Sequence, residues 1–188
     1  RTDPGGAAAP AKAAAIKRLY ERAYGPIMDG VWVVSNAERR AMRIVAGATH
    51  VDVVPNGVDT SFFSPAPVTP APRSAVFWGR LGFGPNLQAL RWFCGQVWPL
   101  IRKEVPDATF AIVGADPPPE VRAYDGQQGM RVIPNPIDLR PEISACSVVV
   151  MPFVSGGGIK NKFLEAAAMG RPIVATALAT RGLRSQPP

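Results

Sequence analysis

Residues 147–176 read SVVVMPFVSGGGIKNKFLEAAAMGRPIVAT, and the fold class is worked out from them. Ser147-Val148-Val149-Val150-Met151 is a short apolar, β-branched run, the pattern of a strand buried on both faces of a parallel sheet. It leads into Gly156-Gly157-Gly158, where the lack of Cβ atoms lets backbone N–H groups come close to a ligand. A helix is predicted from about Asn161 to Met169. Its positive N-terminal end faces the glycine loop, which makes an anion cradle suited to phosphate. Gly170 closes the helix as its C′ residue, and Arg171-Pro172 leads into a second strand, Ile173-Val174-Ala175-Thr176. Strand, glycine loop, helix and strand form one βαβ unit. The helix sets Lys162 and Glu165 one turn apart. Taken alone, the glycine triplet also fits a tight turn, and Lys162 with Glu165 fits an ordinary surface pair.

The run from Gly158 to Ala175, with Gly158-Ile159-Lys160-Asn161-Lys162-Phe163-Leu164-Glu165-Ala166 at its centre, resembles the donor-site segment of retaining GT-B glycosyltransferases of family 4. Within these it is most similar to exopolysaccharide-associated sugar transferases. A second stretch supports this. Val54-Pro55-Asn56-Gly57-Val58-Asp59 is, by itself, a Pro-Asn-Gly turn in which Gly57 is free to take positive φ and Val58, Phe62 and Phe63 pack beneath. It is also similar to the signature that ends the N-terminal domain in that family.

Composition limits the alternatives. The chain has 188 residues, 47% of them hydrophobic and 19% charged, which is a globular balance with length for one core and part of another. No apolar run approaches the roughly 18–20 residues needed to cross a bilayer. With one histidine, His50, and two separated cysteines, Cys94 and Cys146, a zinc site or a Cys–His pair has no residues to build it. Both cysteines read as small buried hydrophobes, in keeping with a cytoplasmic setting. The net charge of +7 favours anionic partners. The Lys and Arg residues are scattered and follow no nucleic-acid-binding pattern, so nucleic acid is not expected.

Outward from the central unit, strand and helix patterns alternate. A helix is expected from near Ala13, with Ile16, Leu19, Tyr20 and Ala23 on one stripe, ending at Gly25-Pro26. Val31-Trp32-Val33-Val34 reads as a buried strand, Ser35-Asn36 as the cap of a helix reaching Gly47, and Val51 to Val54 as another strand. Ser64 to Ser74 is proline-rich and reads as a linker. Ala75-Val76-Phe77-Trp78 is a strand followed by Gly79-Arg80-Leu81-Gly82, and Asn86 is expected to cap a long helix, Leu87 to Lys103. Strands at Thr109 to Gly114 and Met130 to Ile133 follow, and Asp138 is placed to cap Leu139 to Cys146. The alternation predicts an α/β fold, a Rossmann-like doubly wound parallel sheet whose ligand lies beyond the carboxyl ends of the strands.

The resemblance implies three segments: 1–63 as a remnant of the N-terminal, acceptor-side domain, 64–74 as the linker, and 75–188 as a nucleotide-sugar donor-binding domain truncated at its C-terminal end. It implies transfer of a sugar, with retention and without a cofactor or obligatory metal, from a nucleotide-diphosphate-sugar donor to a sugar or lipid-linked glycan acceptor. Arg80, Lys162 and Glu165 become the catalytic candidates. Gly79, Gly82, Gly114, Ile137, Gly156, Gly157, Gly158, Ile159, Lys160 and Asn161 become donor-binding candidates. On position alone Arg80 fits a surface loop as well as a diphosphate contact. The family's usual lysine a few residues after it is replaced by Pro85-Asn86, and spacing leaves Lys160 and Lys162 both open as substitutes. Glu165 matches the second Glu of the family's paired-Glu motif, expected on the ribose hydroxyls, whereas the first falls on Gly157. The positive charge fits peripheral contact with the inner face of a membrane. Two other readings remain: a noncatalytic nucleotide-sugar-binding remnant, and a dinucleotide-dependent oxidoreductase. The second lacks a Gly-x-Gly-x-x-Gly turn in the first βα unit with an acidic residue about 20 positions on.

Overall fold

The computed structural model describes residues 5–158 and 160–183, with side chains from residue 14 onward. The described residues form two compact units, one running through Asn56 and taking in Gly182 and Leu183, the other spanning Gly57–Arg181.

In the first unit, helix α1 (Gly5–Tyr24) is followed by a 3-10 turn (Gly25–Ile27), strand β1 (Val31–Val33), helix α2 (Asn36–Val45) and strand β2 (Val51–Val53). The first helix thus starts earlier than the expected Ala13, because alanine, the strongest helix former, dominates the residues before it. Ser35 caps α2 as expected. Its Oγ accepts the Glu38 N–H at 3.2 Å, and the Glu38 carboxylate accepts the Val34 N–H at 3.1 Å. Strands β1 and β2 pair in parallel in a two-stranded sheet, Val31 opposite Val51 and Val33 opposite Val53. β1 is not the buried strand its sequence suggests. Its side chains alternate faces, and Trp32 is 79% exposed.

The second unit is built on β3 (Ala71–Arg80), which begins inside the proline-rich stretch. The other strands are β4 (Thr109–Ala115), β5 (Met130–Pro134), β6 (Cys146–Met151) and β7 (Ile173–Ala175). All pairings are parallel, in the order β5-β4-β3-β6-β7 across five strands. The chain winds outward from β3 in one direction, returns, and winds outward in the other, so β3 and β6 flank a topological switch point. Val76, Phe77, Ile112, Val113 and Met151 are fully buried along these strands. One layer of the core is an aromatic cluster, with ring centroids 4.9 Å apart for Phe93 and Phe110 and 5.3 Å for Trp98 and Phe110. The Trp98 indole N–H finds its acceptor in the Gln128 carbonyl at 3.0 Å.

The long helix after β3 is continuous but not regular. α3 (Gly84–Trp92) passes through a π segment (Phe93–Val97) into α4 (Trp98–Glu104). Pro99 has no N–H to donate and would clash with the preceding turn of an α-helix. The wider π turn, in which the Trp98 N–H reaches the Phe93 carbonyl, admits the ring without ending the helix. The remaining helices are α5 (Pro119–Arg122), α6 (Arg140–Ala145) and α7 (Asn161–Ala168). α6 begins one residue later than expected, with Leu139 and not Asp138 in the cap position, and the Asp138 carboxylate accepts the Arg140 N–H at 2.9 Å and the Arg140 guanidinium. Gly170, at φ 64, terminates the turn after α7 in the left-handed conformation its sequence position implies. Among the described residues no helix is long and apolar enough to cross a membrane.

Candidate functional site

Where β3 and β6 diverge, the loops after their carboxyl ends and the start of α7 enclose a cavity of about 490 Å3, a size suited to a small ligand. From β3 come Trp78 and Gly79, from the start of α3 Pro85 and Asn86. The segment after β6 adds Phe153, Gly157 and Lys160, and α7 adds Asn161, Lys162 and Glu165.

Two glycines fix the floor. Gly79 and Gly114 are register partners at the ends of β3 and β4 and have φ of 141° and 149°. A Cβ on Gly114 would lie 1.7 Å from the Gly79 carbonyl oxygen, so the two backbones touch at a distance only glycine permits. A Cβ on Gly79 would lie 2.7 Å from Lys162 Nζ and 3.2 Å from Asn86 Nδ2. The lysine head and the carboxamide fill the space a side chain would take.

Lys162 is half-buried. Its ammonium donates to Asn86 Oδ1 at 3.1 Å and stands 5.3 Å and 5.4 Å from the ring centroids of Phe77 and Phe153. Burial pushes its pKa down to about 8; Glu165 opposes that shift and Lys160 adds to it. Lys160 is lowered too, by burial. It folds back on the glycine loop, donating to the Gly157 carbonyl at 2.8 Å. Glu165 does not pair with Lys162 through a hydrogen bond, as one-turn spacing suggests. Its Oε2 instead accepts the Trp78 indole N–H at 2.9 Å. That bond ties α7 to β3.

The expected site residues therefore separate. Gly79, Gly157, Lys160, Asn161, Lys162 and Glu165 line the cavity. Gly114 lies beneath Gly79, Gly156 and Gly158 sit in the loop at φ of 93° and 72°, and Gly82 packs under the Asp116 carbonyl. Ile137 is fully exposed on the loop after β5. Ile159 lies outside the described residues. Arg80 turns away from the cavity, its guanidinium 3.1 Å from Asp116 on an exposed rim. Asn86 is not the helix cap its position suggests. Phe83 precedes the first helical residue, Gly84, and the Asn86 side chain, 4% exposed, instead donates to the Arg80 carbonyl at 2.7 Å. Sequence reasoning missed Trp78, Asn86 and Phe153 as site residues. The first carried a usable signal, since a strand tryptophan facing a core needs an acceptor for its N–H.

A family model described as "Glycosyl transferases group 1" matches residues 72–185, more than half of the chain. The chain belongs to the glycosyl transferases group 1 family. A relative from Klebsiella pneumoniae, an uncharacterized 44.6 kDa protein in the cps region, is 28% identical over 118 residues, covering 58% of this chain and 30% of the relative. Among solved structures, a Staphylococcus aureus TarM variant in complex with Fondaparinux, alpha-GlcNAc-glycerol and UDP aligns at a TM-score of 0.68 and 15% identity, over 85% of this chain and 32% of that one. Sucrose-phosphate synthase from Thermosynechococcus elongatus aligns at a TM-score of 0.67 and 22% identity, over 88% and 45%. At these identities the likeness establishes the fold, and the α/β parallel sheet expected from the sequence is the GT-B type seen in these neighbours. The chain spans about a third of the length of the curated relative it matches.

Proposed function

We propose that this group 1 glycosyltransferase chain is the donor-binding half of a retaining family 4 enzyme that takes sugar from a nucleotide-diphosphate-sugar. The observation that carries the reading is the convergence, at the switch point of the sheet, of a half-buried lysine, a second lysine, a glycine loop and the start of α7 on one side of the cavity, with a carboxylate one turn further along the helix. Cations, backbone N–H groups and a helix N-terminus suit a diphosphate, and they act most strongly where water is excluded. As the glycosidic bond to the diphosphate breaks, negative charge grows on the leaving oxygens. Lys162, already desolvated, stabilises that charge with little rearrangement. Glu165, steadied by Trp78, accepts from the ribose hydroxyls. Arg80 sits at the rim and can exchange Asp116 for a phosphate oxygen, one exposed ion pair for another. The first unit, through Asn56, then belongs to the acceptor-side domain, and the sheet from Ala71 onward to the donor domain, with the proline-rich stretch before β3 as the linker. The acceptor is a sugar or lipid-linked glycan at the cytoplasmic face of the membrane, and exopolysaccharide synthesis is the setting.

Calorimetric titration with UDP, GDP, ADP and NAD tests the donor assignment. One nucleoside diphosphate should bind saturably, and both Lys162→Met and Glu165→Ala should weaken it. Binding of NAD alone would sink the reading, as would a full-length protein that binds none of the diphosphates.

A further inference from the structure

Asn86 occupies a position whose two ends are chemically determined. The Arg80 carbonyl can only accept a hydrogen bond and the Lys162 ammonium can only donate one, so the carboxamide must turn Nδ2 to the first and Oδ1 to the second, at 2.7 Å and 3.1 Å. It is buried, and it packs with Lys162 into the space above Gly79 that a Cβ would fill. Alanine would satisfy neither partner. Aspartate would satisfy the ammonium and set an acceptor against the Arg80 carbonyl. No other hydrogen bond joins the Lys162 head to the chain among the described residues, and its remaining neighbours are the faces of Phe77 and Phe153. The charged groups facing it are Glu165 from its own helix and Lys160 from the loop before it. The start of α3 presents the neutral Asn86, and Arg80, at the end of β3, is turned to Asp116.

We infer that Asn86 is a positioning residue for Lys162: its carboxamide clamps the lysine head to the end of β3, holding a charged ammonium at the cavity wall for an incoming diphosphate. The inference rests on the donor reading above. Without the clamp, the ammonium faces two aromatic rings and one carboxylate and is free to swing or to lose its proton. With it, the cation and the Arg80 backbone keep a fixed separation, so that two loops from different strands act on one ligand.

The test uses the whole chain and reads Lys162 directly. The side-chain resonance of isotope-labelled lysine, assigned by its loss in Lys162→Met, is followed through pH in the ligand-free protein, and UDP affinity is measured in parallel. Asn86→Ala should move the Lys162 titration to lower pH and Asn86→Asp to higher pH; a merely structural role gives no such opposed pair. Asn86→Ala should lower UDP affinity roughly tenfold, with no further loss in the Lys162→Met background. A Lys162 titration unmoved by either substitution overturns the positioning role, whatever happens to binding. Titrations that move as expected while UDP affinity ignores Lys162→Met overturn instead the donor reading. Thermal unfolding of each variant separates loss of the clamp from loss of the fold.

Discussion

The carboxyl end of β3 and the segment after β6 each offer glycines and a cation to the same end of the sheet, and they do so on opposite terms. At Gly79, partnered by Gly114, glycine is required by the protein itself: backbone oxygen, lysine head and carboxamide occupy the space of the missing side chains. At Gly157 an added Cβ would meet nothing within 4 Å. The cations divide the other way. Arg80, carried by the tightly packed strand end, reaches into solvent and pairs with Asp116, both side chains being mostly exposed. Lys162, next to the open glycine loop, is desolvated against two aromatic rings. A glycine therefore signals ligand approach only where nothing of the protein explains it. A cation is set up to act on a ligand where it has already lost part of its water.

The sharpest way to break this contrast is Gly114→Ala. The left-handed backbone and the contact with the Gly79 oxygen should cost about 4 kcal/mol, a large share of the roughly 5–15 kcal/mol that holds a domain together, as chemical denaturation would report. A stable Gly114→Ala protein would mean that the two strand ends can separate freely.

Next in size is the pH dependence that Lys162 imposes. Its folded pKa, about 8, lies below the ordinary 10.5. Between those values the unfolded chain keeps a proton that the folded chain gives up, so stability should rise with pH across that window, by on the order of 2 kcal/mol. Below pH 8 the folded state carries the cost of a buried charge. Lys162→Met should flatten the slope and raise stability at pH 7 while removing diphosphate binding, a trade measurable by denaturation at several pH values. A slope that survives the substitution would place the titrating group elsewhere.

The smaller effects test the exposed side of the comparison. Arg80→Ala should change stability by less than about 0.5 kcal/mol, because an exposed ion pair is screened and mobile. Gly157→Ala should be within about 0.5 kcal/mol of the parent in thermal denaturation, yet weaken UDP binding in calorimetry, because its methyl group would stand between the backbone and the diphosphate. A large stability loss in either would contradict the division drawn above.

Much of this architecture was legible in the chain. Runs such as Val148-Val149-Val150 and Ala111-Ile112-Val113, separated by helical patterns, announced a parallel sheet, because only strands covered on both faces can be apolar throughout. The glycine loop and α7 were legible for the same local reasons, as was the cap at Ser35. The roles of Asn86 and Trp78 were not. Asn86 stands just before an apolar helical pattern, where local rules favour a cap, but Pro85 is accommodated inside the first turn and the helix begins at Gly84. The π segment was equally hidden, since it resolves a conflict between Pro99 and a helix kept continuous by the packing of Phe93 and Trp98 on Phe110.

Periodicity, β-branching and turn chemistry act over a few residues, and so the sequence by itself determined the order of strands and helices, the parallel α/β class and the end of the sheet at which the cavity opens. Which cation faces the cavity was decided by tertiary structure alone. Arg80 and Lys162 are separated by 82 positions in the chain and are equivalent as charges. Only the packing of α7 against β3, through Trp78 with Glu165 and Asn86 with Lys162, buries one and leaves the other to solvent. Desolvation depends on every neighbour within a few ångströms, and those neighbours come from strands that the chain brings together only when the sheet is complete.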